Sequence, residues 1–409
     1  MAATSAPSRW LGALLRRLRT VRGLPGPRRP AAAGRAALGG PLSGAVGGAV
    51  AVGGALGGVL GAGQARAVDL PQDRADLMFH SYVGGGVIAN GPAVLVQKSI
   101  GDEYSLSGSY YVDSVSNASI DVVTTASPYH ERRTEEGVGG VYVHRDSLVS
   151  AGLTRSKEPD YTATGANIDV SQDMLGGMTT LKLGYSRAWD TVGKHGDPAF
   201  SKAANHWQYR LGVTQILTPR WLASVDMEAI SDSGFLSSPY RAARVFGAAV
   251  PETDPSTRTS RAVALRAVGS VGAAAAVRAD FRYYWDTWNI HARTLEFGYA
   301  QHLDARWTLD GSVRYYSQNH AVFYSDNFAA AETYMSRNRQ LSTFNDVGLG
   351  LKATYSAYRV PALLDVQLTA AFQRLRFHYD DFTDLRPGAN GSLYSFNASV
   401  MEFFVSATF

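Results

Sequence analysis

The 409-residue chain contains no cysteine. It therefore forms no disulfide, holds no thiolate metal site and has no cysteine nucleophile. The absence suits a chain that crosses an oxidising compartment, where a free thiol risks wrong pairing. After residue 67 the sequence also lacks any run of 18 apolar residues, so no transmembrane helix is predicted.

Linear catalytic motifs are missing as well. The chain has no G-x-S-x-G elbow, no P-loop, no H-E-x-x-H pair and no glycine-rich dinucleotide fingerprint. His195 lies two residues from Asp197, but no nucleophile motif accompanies this pair. The sequence therefore predicts no enzyme and no cofactor. One alternative remains, an outer-membrane hydrolase with a site built across strands, for which the candidate histidines are His206, His291, His302 and His378.

The net charge of +4 is unevenly distributed. Nine of the 39 basic residues precede residue 68, in a region without any acidic residue. The remaining 30 basic residues face 35 acidic ones, a net charge of −5. The basic excess thus belongs to the leader, and nucleic-acid binding is not predicted.

Residues 1–67 are predicted to be a signal peptide. An arginine-rich start precedes a stretch of small apolar residues, 42–62, and Ala65-Arg66-Ala67 matches an A-x-A cleavage site. The alternative, a membrane-anchoring helix, is disfavoured because the stretch is rich in glycine and alanine. The long basic region leaves the translation start open. Residues 68–76 are predicted to be a short periplasmic segment.

From residue 77 onward, apolar and polar side chains alternate with a period of two, as β-strands require. In 204–218, for example, Trp207, Tyr209 and Leu211 share one face, while Gln208 and Arg210 share the other. Sixteen candidate strands follow this pattern: 77–84, 93–100, 103–115, 131–145, 147–158, 160–174, 178–191, 204–218, 221–234, 258–271, 274–288, 291–303, 306–320, 341–358, 362–380 and 393–409. Within 362–380 the apolar phase changes after Phe372, and we expect a β-bulge near Gln373.

Three features favour a transmembrane barrel over a soluble sandwich. The polar faces carry charges in mid-strand, tryptophans such as Trp221 and Trp307 lie near strand ends on the apolar face, and short turns alternate with long loops. The long loops are 116–130, 192–203, 235–257, 321–340 and 381–392. We therefore predict that residues 77–409 form an all-β, antiparallel, up-and-down transmembrane barrel of about sixteen strands, with fourteen as the alternative.

The last segment resembles the end of an outer-membrane barrel. Met401, Phe403, Val405 and Phe409 share one face of a strand, and the chain stops on the aromatic residue. An even number of strands places both termini on the periplasmic side. The expected location is the outer membrane of a Gram-negative cell, reached through the periplasm. The expected partners are outer-membrane lipid and, through Phe409, the barrel-assembly machinery.

Charged residues on the polar faces are predicted to line the lumen, because a charge on the lipid face costs about 2–4 kcal/mol at mid-depth. Two interpretations remain open: a polar pore of mixed charge for small solutes, or ion pairs that fill and stiffen the wall. Neither sign dominates strongly enough to predict ion selectivity. The candidates are Lys182, Arg210, Asp226, Glu228, Arg266, Arg278, Asp280, Arg282, Glu296, Asp310, Arg314, Asp346, Lys352 and Asp365.

Two loop segments carry further hypotheses. Residues 116–136 could fold into the barrel as a constriction formed by Asp121, Arg132, Arg133 and Glu135; the alternative is an ordinary external loop. Asp380, Asp381 and Asp384 offer oxygen ligands for Ca²⁺, but they lack the spacing of a known calcium loop, so no metal site is predicted.

Three segments, 109–135, 160–200 and 281–290 (FRYYWDTWNI), resemble an uncharacterised family of proteobacterial outer-membrane β-barrel proteins recorded as a domain of unknown function. The resemblance covers essentially all of 70–409 and implies an envelope protein without an assigned ligand or catalytic residue. The polar inward faces of the strands favour a porin-like channel for small polar solutes. The alternative is a closed structural or surface-interaction barrel; the oligomeric state stays open.

Overall fold

The computed structural model describes residues 68–117, 119–120, 129–361 and 363–409. The predicted signal peptide, 1–67, lies outside these residues. The strands are β1 (Arg74–Gly84), β2 (Val87–Ile100), β3 (Tyr104–Asn117), β4 (Tyr129–His144), β5 (Ser147–Lys157), β6 (Tyr161–Met174), β7 (Thr179–Val192), β8 (Lys202–Thr218), β9 (Trp221–Gly234), β10 (Ala242–Val245), β11 (Ala248–Pro251), β12 (Thr257–Val271), β13 (Ala275–Asp286), β14 (His291–His302), β15 (Trp307–Gln318), β16 (Phe344–Val360), β17 (Leu364–Thr383) and β18 (Leu393–Thr408).

Sixteen of these strands close into an antiparallel barrel, which confirms the predicted fold class. Each barrel strand pairs with the next along the chain, β9 pairs with β12, and β10 and β11 form a separate hairpin within the connecting loop. β1 and β18 close the barrel in a continuous register from Arg74↔Thr408 to Gly84↔Ala398. Closure leaves no free sheet edge. No helix in the described part of the chain is long and apolar enough to cross a bilayer.

The two ends of the barrel differ in their connections. At one end, which we call the turn rim, short turns join β2 to β3, β4 to β5, β6 to β7, β8 to β9, β12 to β13, β14 to β15 and β16 to β17. At the other end, the loop rim, lie the long connections 193–201, 235–256, 319–343 and 384–392. The ends of β1 and β18 that carry Arg74 and Thr408 both lie at the turn rim.

The outer surface of the wall is apolar. Along β1 and β18, Leu77, Phe79, Phe403 and Val405 point outward, and Phe403 keeps 55% of its surface exposed. The alternate residues point inward because side chains along a strand alternate between faces. Exposed aromatic residues such as Trp221 and Trp307 lie on this outer surface near the turn rim. The result is an apolar belt around a more polar interior.

The expected bulge near Gln373 is wrong. β17 pairs with β18 in unbroken register from Asp365 to His378, so its side chains alternate without a change of phase. Leu375, Phe377 and Tyr379 are buried inside the barrel. The prediction failed because it assigned every apolar side chain to the outer face, whereas the interior itself becomes apolar near the loop rim.

Most of the buried apolar side chains lie near that rim. One cluster includes Ala204 on β8 and Tyr394 on β18, two strands that occupy opposite positions in the barrel order. Loop residues such as Phe323 and Leu341 belong to the same cluster. The core of this protein therefore lies in and above the loop-side mouth.

A smaller cluster lies at the turn rim, where the segment before β1 enters the barrel. Val68 packs with Val143 on β4 and Leu148 on β5, and Leu70 packs against them. Asp73, just before β1, contacts both neighbouring strands. Its carboxylate pairs with Lys98 on β2 at 2.6 Å, and its carbonyl accepts a hydrogen bond from the Phe409 amide after β18 at 3.0 Å. This segment, predicted to be periplasmic, thus lies across part of the turn-side opening.

Candidate functional site

The inward face of the wall carries arginines paired with carboxylates. Arg210 on β8 contacts Asp169 on β6 at 2.8 Å, and Arg282 on β13 contacts Glu228 on β9 at 2.9 Å. Each of these four side chains keeps about a quarter to a third of its surface exposed. The wall between β6 and β13 is therefore polar, and solvent can reach it from within the barrel.

A third arginine on this side of the barrel lies between two acids. Arg266 on β12 is 2.9 Å from Asp280 on β13 and 3.6 Å from Asp226 on β9. The positive and negative charges of the lumen are thus interleaved from strand to strand. Such a surface attracts neither sign strongly, since each charge is compensated within a few ångströms.

Farther around the wall, the ion pairs are buried. Arg278 on β13 contacts Asp310 on β15 at 2.7 Å and lies 3.7 Å from Glu296 on β14. Arg314 on β15 pairs with Asp346 on β16. Removing one member of a buried pair leaves an uncompensated charge, which is the costly situation in a protein interior. These pairs fit the interpretation that the ionic residues stiffen the wall.

Glycines on the intervening strands allow two of these arginines to reach across. Gly184 on β7 lies between Arg210 and Asp169, and a Cβ atom there would lie 2.7 Å from the Arg210 Nε. Gly298 on β14 lies beside Arg278, and a Cβ there would overlap its guanidinium. Any side chain at either position would displace the arginine. The sequence shows these glycines, but only the strand register shows that each lies beside an arginine.

The three remaining wall candidates lie on inward positions too. Lys182 on β7 is in register with Gly212 on β8, and Lys352 on β16 is in register with Asp310 on β15. Asp365 on β17 pairs with Arg359 at 2.9 Å. That these residues line a conducting pore stays a prediction.

The residues predicted for a constriction do not lie together in a loop. Arg132, Arg133 and Glu135 belong to the wall strand β4, and Asp121 lies outside the described residues. Arg133 points inward and pairs with Glu135 at 2.6 Å. Arg132 is exposed on the outer face, because neighbouring residues of a strand point in opposite directions.

Loop 319–343, which contains the long loop predicted at 321–340, enters the mouth, where Ile120 belongs to the same buried cluster. Phe323 is 5% exposed and meets the ring of Trp288 edge to face, with 5.0 Å between the ring centroids. The inward side chain of Gln318 donates to the carbonyls of Gln340 and Ser342 at 2.9 and 2.8 Å. The apolar residues at 321–324 were the available signal, since an external loop has little reason to carry them.

The same loop also contacts β18 and the turn between β1 and β2 at the loop rim. The guanidinium of Arg339 lies 5.4 Å from the ring centroid of Phe396 on β18 and next to Gly85 in the β1–β2 turn. On its other side, Phe328 and Met335 pack with Ala243 of the β10–β11 hairpin. We call residues 235–257 and 319–343 together the loop cap. The loop cap therefore contacts the connection between β13 and β14 through Phe323 and strand β18 through Arg339.

Three carboxylates converge at the loop rim beside the loop cap. The ligand atoms of Glu131, Glu158 and Asp160 lie within 4.8 Å of one another. Burial raises the pKa of Glu158, in the β5–β6 turn, to about 8; Arg133 opposes the rise, and the Glu131 and Asp160 carboxylates add to it. Asp160 also accepts a hydrogen bond from the Tyr240 hydroxyl, which ties this turn to the loop cap.

Two of the acids considered for Ca²⁺, Asp381 and Asp384, have protein partners. Asp384 binds the guanidinium of Arg386 through both oxygens, at 2.9 and 2.6 Å, and this pairing lowers the pKa of Asp384. Asp381 accepts from the Thr343 amide at 2.8 Å and contacts His320 at 2.9 Å. Asp381 therefore ties the end of β17 to loop 319–343, whereas the pair of Asp384 and Arg386 lies within one loop.

The histidines considered for hydrolysis are engaged in other ways. His206 lies between two carboxylates, Asp190 at 2.9 Å and Asp232 at 2.7 Å, so both ring nitrogens are occupied. His291 contacts the Tyr283 hydroxyl, and His302 contacts the Thr308 hydroxyl. The remaining candidate, His378, is exposed beside Asp380 at 3.6 Å. Asp197, next to the candidate His195, caps the amide of Ala199.

A family described as "Protein of unknown function (DUF3570)" matches residues 59–363. The chain belongs to this family. The predicted resemblance to an uncharacterised family of outer-membrane barrels is thereby confirmed. No curated protein matches the sequence.

Several solved barrels are similar in structure. A bacterial polysaccharide outer membrane secretin has 11% identity and a TM-score of 0.47, over 82% of this chain and 98% of that one. A FadL homologue from Pseudomonas aeruginosa has 11% identity and a TM-score of 0.38, over 83% and 90% of the chains. The CymD monoaromatic hydrocarbon channel has 10% identity and a TM-score of 0.40, over 83% and 88%.

Proposed function

We propose that this protein is an outer-membrane channel for small polar solutes whose external mouth is closed by the loop cap. The observation that carries the proposal is the contrast between the two faces of single strands. On β8, Tyr209 and Leu211 are exposed on the outer wall, while Arg210 between them forms a solvent-accessible ion pair inside. An apolar exterior with a polar, hydrated interior is the arrangement of a transmembrane pore.

The difference between the rims supports an orientation. Outer-membrane barrels carry short periplasmic turns and long external loops. The turn rim, with β1 beginning at Arg74 and β18 ending at Thr408, then faces the periplasm. The loop cap faces the exterior. Export through the periplasm and recognition of Phe409 by the assembly machinery remain predictions.

The lumen charges support passage of polar solutes without strong preference for one ionic sign. Selectivity filters for ions concentrate one kind of charge or carbonyl in a ring. Here Arg266 lies between Asp226 and Asp280, so positive and negative groups alternate around the wall. Neutral or zwitterionic hydrophilic molecules suit this surface best.

A second candidate function is a closed structural or surface-interaction barrel. It is favoured by the apolar cluster that includes both β8 and β18 and by the buried pairs around Arg278 and Arg314. In that case the long loops bind a partner and nothing crosses the barrel. The hydrolase alternative has no support from His206, whose two ring nitrogens already contact carboxylates.

Planar-bilayer recording on the refolded full chain separates the two candidates. A deletion variant without residues 322–337 removes the part of the loop cap that fills the mouth. The proposal expects rare stepwise openings from the complete chain and frequent openings from the shortened one. Silence from both forms, with barrel folding verified by heat-dependent gel mobility, would favour the closed barrel and contradict the channel.

A further inference from the structure

The inward and outward basic residues of the barrel differ in whether they contact carboxylates. Inward arginines such as Arg210, Arg278 and Arg314 all contact carboxylates. Seven basic residues point outward between mid-strand and the loop rim, are exposed, and form no ion pair within the described ranges. We call them the outer basic band: Arg132, Arg155, Lys157, Arg261, Arg293, Arg374 and Arg376.

The outer basic band borders the apolar belt. Arg155 follows Leu153 on the outer face of β5, and Arg374 follows Phe372 on β17, with each apolar residue two positions nearer the turn rim. Another outward arginine, Arg187 on β7, lies against tryptophan rings that mark the same level of the wall, with its Cζ 5.3 Å from the ring centroid of Trp189. Aromatic residues gather at the level where headgroups meet hydrocarbon.

Acidic residues balance this band only in part. Among the described strands, the outward acidic side chains in the same zone are Glu136 on β4, in register with Arg155 on β5, and Asp380 on β17, and neither forms an ion pair with a member of the band. The outward surface near the loop rim is therefore positive, although the described part of the chain is acidic overall. This sign favours an anionic partner at the lipid boundary.

The densest part of the band is on β17. Arg374 and Arg376 point to the same side two residues apart, roughly 7 Å along the strand. Arg374 Nη1 donates to the Ser399 hydroxyl at 2.6 Å, and Asn397 is in register with Arg376. Guanidinium groups bind phosphate through paired N–H donors, and the neighbouring hydroxyl and amide groups can complete the contact.

We propose that the outer basic band binds the phosphate-bearing headgroups of anionic lipids in the leaflet that faces the loop rim. The proposal rests on the membrane location proposed above. Acyl chains then lie on the apolar belt below, and phosphates meet the guanidinium groups at its edge. A second copy of this chain is a poor occupant, because it would bring the same positive band against this one.

The test is lipid retention by the refolded full chain in a neutral detergent, followed by native mass spectrometry. Phosphatidylglycerol, phosphatidylcholine and the bisphosphorylated glycolipid lipid A are added in turn. The double variant Arg374→Gln/Arg376→Gln is compared with Arg220→Gln in the β8–β9 turn, an exposed arginine at the opposite rim. Heat-dependent gel mobility verifies that each variant forms the barrel.

We expect phosphatidylglycerol and lipid A to bind more tightly than phosphatidylcholine. Each arginine near a membrane surface contributes about fivefold in affinity for anionic lipid, so the double variant should bind them about 25-fold more weakly. Arg220→Gln should bind as the unmodified chain does. Equal retention of the three lipids, or unchanged binding by the double variant, would overturn the proposal.

Two further arms separate the causes of failure. Displacement of the lipids by millimolar inorganic phosphate would indicate a site for free phosphate and would contradict lipid binding. If bilayer recordings show no conductance while the preference for anionic lipids is intact, the transport role is refuted and the lipid-binding proposal still holds. If the folded chain stays dissolved without detergent, the membrane location is refuted, and both proposals fail because they depend on it.

Discussion

Replacing Phe323 by alanine should open the channel, because this side chain holds the loop cap in the mouth. Phe323 is almost fully buried and packs edge to face on Trp288. Truncating a buried phenylalanine costs about 3–5 kcal/mol, which includes the loss of the aromatic pair. The substitution acts on the closed state alone if the open state exposes this ring. The ratio of open to closed channels then rises by about two to nearly four orders of magnitude.

Single-channel recording measures this ratio directly as open probability. Val322→Ala provides the matched control, since Val322 is the preceding residue of the same loop and is 72% exposed. We expect long-lived openings from Phe323→Ala and the behaviour of the unmodified chain from Val322→Ala. Equal open probabilities in all three proteins would refute the account of the loop cap. So would a large, constant conductance from the unmodified chain.

Two further predictions concern the wall and the loop rim. Arg278→Met leaves Asp310 and Glu296 without their cation and should destabilise the barrel by about 3–5 kcal/mol, measured as the shift in urea unfolding of vesicle-inserted protein, with Arg220→Met unchanged. Glu158 keeps its proton in the folded protein up to a pH of about 8. A glutamate in an unfolded chain loses its proton at a pH of about 4.3. The protonated Glu158 therefore stabilises this turn at low pH, and this contribution is lost as the pH rises between the unfolded and the folded pKa of Glu158. Amide exchange around residue 158, corrected for its intrinsic pH dependence, should quicken from pH 6 to 8, and Glu158→Gln should abolish that change.

The architecture followed from periodicity because the requirement behind it is simple. A wall that is apolar outside and polar inside forces a two-residue alternation, and β8 shows it over most of its length. The sixteen strands and the contrast between short turns and long loops were predicted on that basis. The same rule failed at 375–379, where packing beneath the loop cap makes the inward face apolar.

The site was harder to predict, because its members come together only through the closed barrel. Arg210 meets Asp169 two strands away, over a glycine whose position has meaning only once the register is known. Loop 319–343 packs into the mouth, and Ile120 from the predicted segment 116–136 lies in the same buried cluster. That 116–136 forms a constriction stays a prediction. Burial of Phe323 depends on Trp288, a residue 35 positions away, and no local pattern reports such a contact.

The central claim is that one face of each strand meets lipid and the other meets water inside the barrel. Because the chain has no cysteine, single cysteines can be placed along β8 without background. In lipid vesicles, a membrane-impermeant maleimide should label cysteine at Gln208, Arg210 and Gly212 and spare cysteine at Tyr209 and Leu211. Equal labelling of both sets would contradict the account, as would labelling confined to the outer face.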